Sequence, residues 1–199
     1  MSENRFKLVK EYLQHLNAQI LIMIALFFIS AILGYIYSAA SPEFATEALG
    51  GLEEIVEMIE GLHPIIIMLF IFFNNAFVAL IALLLGIAFG IIPLIIIAYN
   101  GIILGVVARL VAEEIGLTFL LAGILPHGVI ELPVVFISAA IGLKIGQETL
   151  NAVLGKEANI KNELDRGLRF YIKWIVPLLF IAAFIETFIT PLLIYAVGV

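Results

Sequence analysis

The chain has 199 residues, 63% of them hydrophobic and 13% charged, with a formal net charge of −6 and a mean hydropathy of +1.18. Soluble domains hold about 45–50% apolar residues, so water is excluded as the main solvent, and apolar runs that are continuous rather than alternating exclude a β-barrel. The absence of cysteine removes disulfide, thiolate-metal and thiol-nucleophile chemistry, and the acidic balance argues against a nucleic-acid partner.

In chain order, the apolar runs predict five transmembrane helices, each near the roughly 20 residues needed to cross a bilayer. They cover 20–40, 64–85, 91–112, 117–143 and 174–197, and form a single all-α, polytopic membrane domain over 1–199. The first run begins near Ile20 and is too long for a signal-peptide core, so it reads as a retained span.

Between the first two spans, the segment 43–62 places Phe44, Ala48, Leu52, Ile55, Ile59 and Leu62 at spacings of three and four, on one helical face. This predicts an amphipathic segment on the outer surface, interrupted at Gly50-Gly51. Its acids Glu43, Glu47, Glu53, Glu54, Glu57 and Glu60 have no basic residue among them.

Between the fourth and fifth spans, 147–173 predicts a cytoplasmic amphipathic helix with Ile160, Leu164, Leu168 and Tyr171 nearly in register. Lys161, Arg166, Arg169 and Lys173 suit anionic headgroups, and Phe170, Tyr171 and Trp174 suit an interfacial belt. Nine of the ten basic residues fall in the N-terminal segment or in 144–173; Arg109 is the exception. The positive-inside rule therefore predicts a cell-membrane protein with its N-terminus cytoplasmic and its C-terminus outside. The bilayer is its first partner.

Glycines four apart let helix backbones approach closely. Of the pairs Gly86/Gly90, Gly101/Gly105 and Gly142/Gly146, only Gly101/Gly105 lies well inside a span, as a contact within the chain or between two copies.

Polar groups inside the spans cost free energy, about 2.5–3.5 kcal/mol for a charge at a helix centre. Asn74 and Asn75 lie near the middle of the second span and Asn100 near the middle of the third. His127 and Glu131 lie midway along the fourth, and Glu186, followed by Thr187 and Thr190, midway along the fifth. At one shared depth they predict a buried ligand or proton site made by Asn74, Asn75, His127, Glu131 and Glu186. His127 and Glu131 are neighbours on one helical face. Pro126 predicts a kink or break near mid-membrane, with a helix starting at His127, and Pro133 a second kink.

Three segments, "FFNNAFVA" (72–79), "PHGVIELP" (126–133) and "IETFITP" (185–191), resemble the signature segments of the stage II sporulation protein M family. Span number and segment order also match across most of the chain. The resemblance implies that Asn74, Asn75, His127, Glu131 and Glu186 occupy the family's characteristic intramembrane polar positions. The family name comes from a sporulation role with peptidoglycan-degrading partners, a role that nothing in this chain points to; what the resemblance suggests is a scaffold or assembly role beside a membrane or envelope protein partner.

Two functions follow. One is a transporter-like protein that passes an ion, protons or a small polar ligand through the midplane site, as a homodimer because about 200 residues is small for a transporter. The other is a non-enzymatic membrane scaffold in which the polar cluster clamps helices together. Enzymatic activity is not expected. The zinc-protease pattern H-E-x-x-H is absent, Ser138 lies about 16 Å along the helix from His127, and no cofactor fingerprint is present. The sequence neither requires nor excludes a metal on His127, Glu131 and Glu186.

Overall fold

A computed structural model describes residues 2–59 and 61–197, with side chains at 7–50, 54, 58 and 61–197. The described residues form helices joined by short turns, with no strand among them. In chain order these are α1 (Ser2–His15), α2 (Asn17–Ala40), α3 (Pro42–Ile59), α4 (Pro64–Leu84), α5 (Ile91–Glu114), α6 (Leu117–Val153), α7 (Ile160–Phe170), α8 (Val176–Phe184) and α9 (Thr190–Ala196). Five units are long and apolar enough to cross a membrane: Asn17–Ala40, Pro64–Ile87, Ile91–Glu114, Leu117–Val153 and Ile160–Ala196. The last is one continuous helix, because the turns Tyr171–Ile175 and Ile185–Ile189 join α7, α8 and α9 without a break.

Those two turns are π-helical, and each has a local cause. Pro177 and Pro191 lack the N–H that would bond to the carbonyls of Lys173 and Thr187, four residues earlier, and their rings crowd those carbonyls. The helix widens by one residue at each place, the usual form of a π-bulge. Thr190 Oγ1 donates to Ile185 O at 3.2 Å, a five-residue reach that fits the widened turn.

α6 is the central element, touching α2, α4, α5, α7, α8 and α9. In lipid there is little hydrophobic drive between helices, so close packing of small residues must hold them. α4 brings the buried stripe Ala76, Ala79 and Ala82, and α6 brings Ser138, Ala139, Ala140, Gly142 and Gly146. Ser138 Oγ donates to Ala79 O at 2.7 Å, and Tyr171 Oη donates to Ala76 O at 2.6 Å. Large apolar side chains such as Phe28, Ile32, Phe73 and Phe77 are exposed instead, which in a bilayer is a lipid-facing surface.

The glycine pairs divide the packing between two interfaces. A Cβ on Gly101 or Gly105 would strike the α2 backbone at Phe27 and Ala31, so this pair seats α5 on α2 within the chain. Gly86 lies against Gly142, and Gly146 against Gly90. The two pairs at span ends therefore meet each other and bring the end of α4 onto α6. Gly90 itself has φ 75°, and Phe89 before it has φ 56°; this left-handed turn reverses the chain into α5.

Three expectations change. The Gly50-Gly51 interruption is absent, and α3 runs through both glycines; a helical glycine costs about 1 kcal/mol, which a packed helix tolerates. The side chains of Leu52, Ile55 and Ile59, and all of Glu60, lie outside the described residues. The segment 147–173 is not one surface helix: α6 extends to Val153, and α7 begins the last span. Ile160, Leu164 and Leu168 pack on the protein core rather than on lipid.

The third correction concerns the break at Pro126. Pro126 and Pro133 both lie inside an unbroken α6, so no helix starts at His127 and no N–H dipole end points into the bundle there. Each proline removes a single hydrogen bond, from the carbonyls of Ala122 and Val129, and tertiary contacts on many sides of α6 carry the helix across.

Candidate functional site

His127 and Glu131 are one turn apart on α6, about 6 Å along its axis. Glu186 arrives from the second π-turn of the last helix. One donor atom from each of the three lies within 4.8 Å of the others. The side chains are half-buried, and among the described residues no hydrogen bond or ion pair reaches them. His127 Nδ1 and Thr187 Oγ1 are closed off from solvent with no polar partner.

A cavity of about 330 Å³ opens beside the triad, between α2, α5 and α6; His127, Glu131, Asn100, Phe27, Ile97 and Leu104 contribute to its walls. Asn100 donates its Nδ2 to Ile96 O at 2.8 Å. That anchors the amide beside the cavity and leaves its oxygen without a bond to the described residues. The wall is thus mostly apolar with a few placed polar groups, the usual make-up of a small-ligand site.

The site therefore draws His127, Glu131 and Glu186 together and adds Asn100. It does not draw in Asn74 and Asn75. Asn74 is exposed and Asn75 half-buried, and Asn74 Nδ2 donates to Asn75 Oδ1 at 3.3 Å. The reason is rotation about the helix axis. Asn74 precedes buried Ala76 by two residues, about 200° around the helix, so it points away from the face that packs on α6.

Three other polar groups are accounted for structurally. Ser138 spends its hydroxyl on α4, as described. Arg109 Nη1 donates to Ser38 O at 2.5 Å, and its Nη2 pairs with Glu113 at 2.9 Å, tying α5 to the end of α2. His63 caps α4 by accepting from Ile65 N at 3.3 Å.

A second polar centre lies far from the triad in sequence, where α1 meets α7. His15 Nε2 and Arg166 Nη1 both contact Glu163 Oε1, at 3.2 and 3.3 Å, and the Arg166 guanidinium lies 4.7 Å from the centre of the Tyr12 ring. Burial first, then the nearby Glu163 charge, pushes the Tyr12 phenol above its ordinary pKa. The sequence does not reveal this centre, since nothing local in α1 names a partner for His15 that lies 148 residues away.

Comparison with known proteins agrees with the segment pattern. Residues 23–191 match the family described as stage II sporulation protein M. The chain belongs to this family. All three residues of the triad fall within the matched stretch. An uncharacterized protein of Methanocaldococcus jannaschii is 35% identical over 125 residues, covering 59% of this chain and 67% of that protein. No solved structure matches. This stage II sporulation protein M family member is a helical membrane protein, and its own geometry adds a half-buried His/Glu/Glu triad.

Proposed function

We propose that this protein is a transporter-like membrane protein that handles an ion or protons at the triad. One observation carries the reading: His127, Glu131 and Glu186 converge within 4.8 Å beside a cavity, with no basic side chain paired to them among the described residues. A clamp between helices is expected to satisfy its own polar groups, as Ser138 and Tyr171 do. Here the groups face one another and a space, and the orphaned His127 Nδ1 leaves one more position to fill. Ionisable groups inside a membrane bundle that border a cavity are the usual marks of an ion or proton path.

The proposed orientation keeps α1 and the basic α7 in the cytoplasm, with α3 outside. α1 and α7 touch through Tyr12 and Phe170, whose rings are 5.3 Å apart, which supports their lying on one face. We also propose a homodimer. Exposed Asn74, at mid-span among exposed Phe73 and Phe77, needs a polar partner that lipid cannot offer.

Reconstitution into liposomes with candidate ions and a pH indicator tests the reading. Flux that disappears in Glu131→Gln supports it; flux that is unchanged in that variant removes Glu131 from the mechanism.

A second reading, a non-enzymatic scaffold, has its own support. A groove of about 560 Å³ between α1 and α7 is lined by Leu8, Tyr12, Arg166, Phe170, Lys173 and Trp174, and an acidic amphipathic segment of a membrane or envelope protein would suit it. A stoichiometric partner that crosslinks at Lys173 would favour this role; loss of every partner under gentle extraction would count against it.

A further inference from the structure

The triad has an imbalance that a particular class of ion would resolve. Glu131 and Glu186 bring two negative charges when ionised, and their donor atoms fall within the same 4.8 Å cluster. The charged pairs elsewhere in the molecule, Arg109 with Glu113, Lys144 with Glu148, Arg166 with Glu163 and Arg169 with Asp165, leave no cation paired here among the described residues. His127 adds a ring nitrogen that is buried without a partner, and an unmet buried polar group is a free-energy cost that a ligand would relieve. A divalent cation would cancel both carboxylate charges and occupy the imidazole lone pair in one step.

We propose that His127, Glu131 and Glu186 bind a divalent first-row transition cation of the zinc, manganese or ferrous class. This rests on the ion-handling reading above and names its ion. The donor set selects the class. Imidazole nitrogen is a good ligand for these ions, whereas magnesium and calcium take oxygen ligands almost throughout. Donors about 2.1 Å from one ion lie roughly 3.0–3.4 Å apart in a tetrahedral or cis octahedral arrangement. The widest pair here, at up to 4.8 Å, must draw in by about 1.5 Å on binding, a movement that rotation about the glutamate side-chain bonds can supply.

Three protein donors leave a coordination position open, as in sites that exchange ligands rather than in closed structural sites. His127 and Glu131 also line the cavity that Asn100 borders, which has room for water as a remaining ligand. The π-turn holding Glu186 gives the third ligand a backbone that is not locked into a regular helical ladder.

The test uses the full chain in detergent, stripped with EDTA and titrated with Co²⁺, whose visible absorption reports nitrogen and oxygen ligands. About one Co²⁺ per chain, displaced by Zn²⁺, is expected. Glu186→Gln and His127→Gln are each expected to weaken binding at least tenfold, on the order of ligand-shell losses, while Glu163→Gln is expected to bind as wild type. Size-exclusion profiles of the variants report folding, and the wild-type titration stands whatever the variants do. No Co²⁺ uptake by the wild type, or uptake unchanged in both triad variants, overturns the metal site. Parallel liposomes separate this from the broader reading. Co²⁺ bound at the triad with neither metal nor protons crossing overturns transport and leaves the metal site. Proton flux that persists in EDTA, with no Co²⁺ bound by the protein, overturns the metal site and leaves transport.

Discussion

The molecule contains two centres built from the same chemistry, histidine beside glutamate, and they are completed in opposite ways. At the junction of α1 and α7, Glu163 has His15 and Arg166 on one oxygen and Tyr12 close by. In the middle of the bundle, His127 meets two carboxylates and no paired cation. The first centre supplies its own countercharge and ties the N-terminal helix to the rest. The second leaves a countercharge to come from outside. What separates a clamp from a site is therefore the missing partner, not the residue types.

The strongest way to break this contrast is to neutralise each centre in turn. Glu131→Gln or Glu186→Gln is expected to reduce flux in liposomes to that of empty vesicles, while the thermal stability of the purified protein holds or rises, since an uncompensated buried charge is removed. Glu163→Gln is expected to do the reverse. Flux persists, and stability falls by about 1–3 kcal/mol, the range for lost hydrogen bonds to a charged group, reduced because His15 and Arg166 are more than a third exposed. Denaturant titration followed by Trp174 fluorescence checks this, and flux lost in Glu163→Gln would erase the distinction.

A smaller effect sharpens the description of the first centre. The Tyr12 phenol is raised above its ordinary value of 10. The stability linked to it is complete below pH 10, where both folded and unfolded chains hold the proton. It falls as pH rises above 10, because the unfolded chain then releases a proton that the folded chain retains. Alkaline titration of wild type against Tyr12→Phe, read by tyrosinate absorbance and by protection of α1 from protease, should show this decline in the wild type and a smaller one in the variant.

The smallest effect belongs to the ordinary interhelical bonds. Ser138→Ala, which loses the bond to Ala79 O, is expected to cost about 0.6 kcal/mol, typical of hydrogen bonds between helices in membranes. A loss many times larger would mean that Ser138 does more than pack.

Span number and approximate limits were legible because each run of apolar residues is long enough to stand alone. The presence of polar groups within the spans was legible for the same reason. Their direction was not. His127 and Glu131 share a face by their spacing of four, but which of the remaining groups turns toward them depends on packing that no local pattern states. Asn74 was therefore grouped with a site it does not face, and Asn100, only noted for its depth, lines the cavity. The pairing of Gly86 with Gly142 was hidden because both lie at span ends, where each motif looked poorly placed by itself. A signal for the π-turns did exist, in prolines that follow Lys173 and Thr187 by four residues, but it was read only at Pro126 and Pro133. At those two positions the helix runs through.

The two widened turns also set the phase of the last helix. Its buried positions run Gly167, Tyr171, Ile175, Leu179, Ala183 and on to Thr190, with Ala182 beside them. If the stripe keeps one direction, the 23 steps from Gly167 to Thr190 make six turns, whereas a regular helix would use about 21.6 steps and leave the stripe trailing by about 140° at its far end. Each π-turn takes up most of one residue of that excess, so the stripe stays pointed at its neighbours along the whole length. Glu186 lies near the end of this run. Without the slack it would swing toward lipid, and the two prolines thus act as a vernier that aims one carboxylate across the bundle.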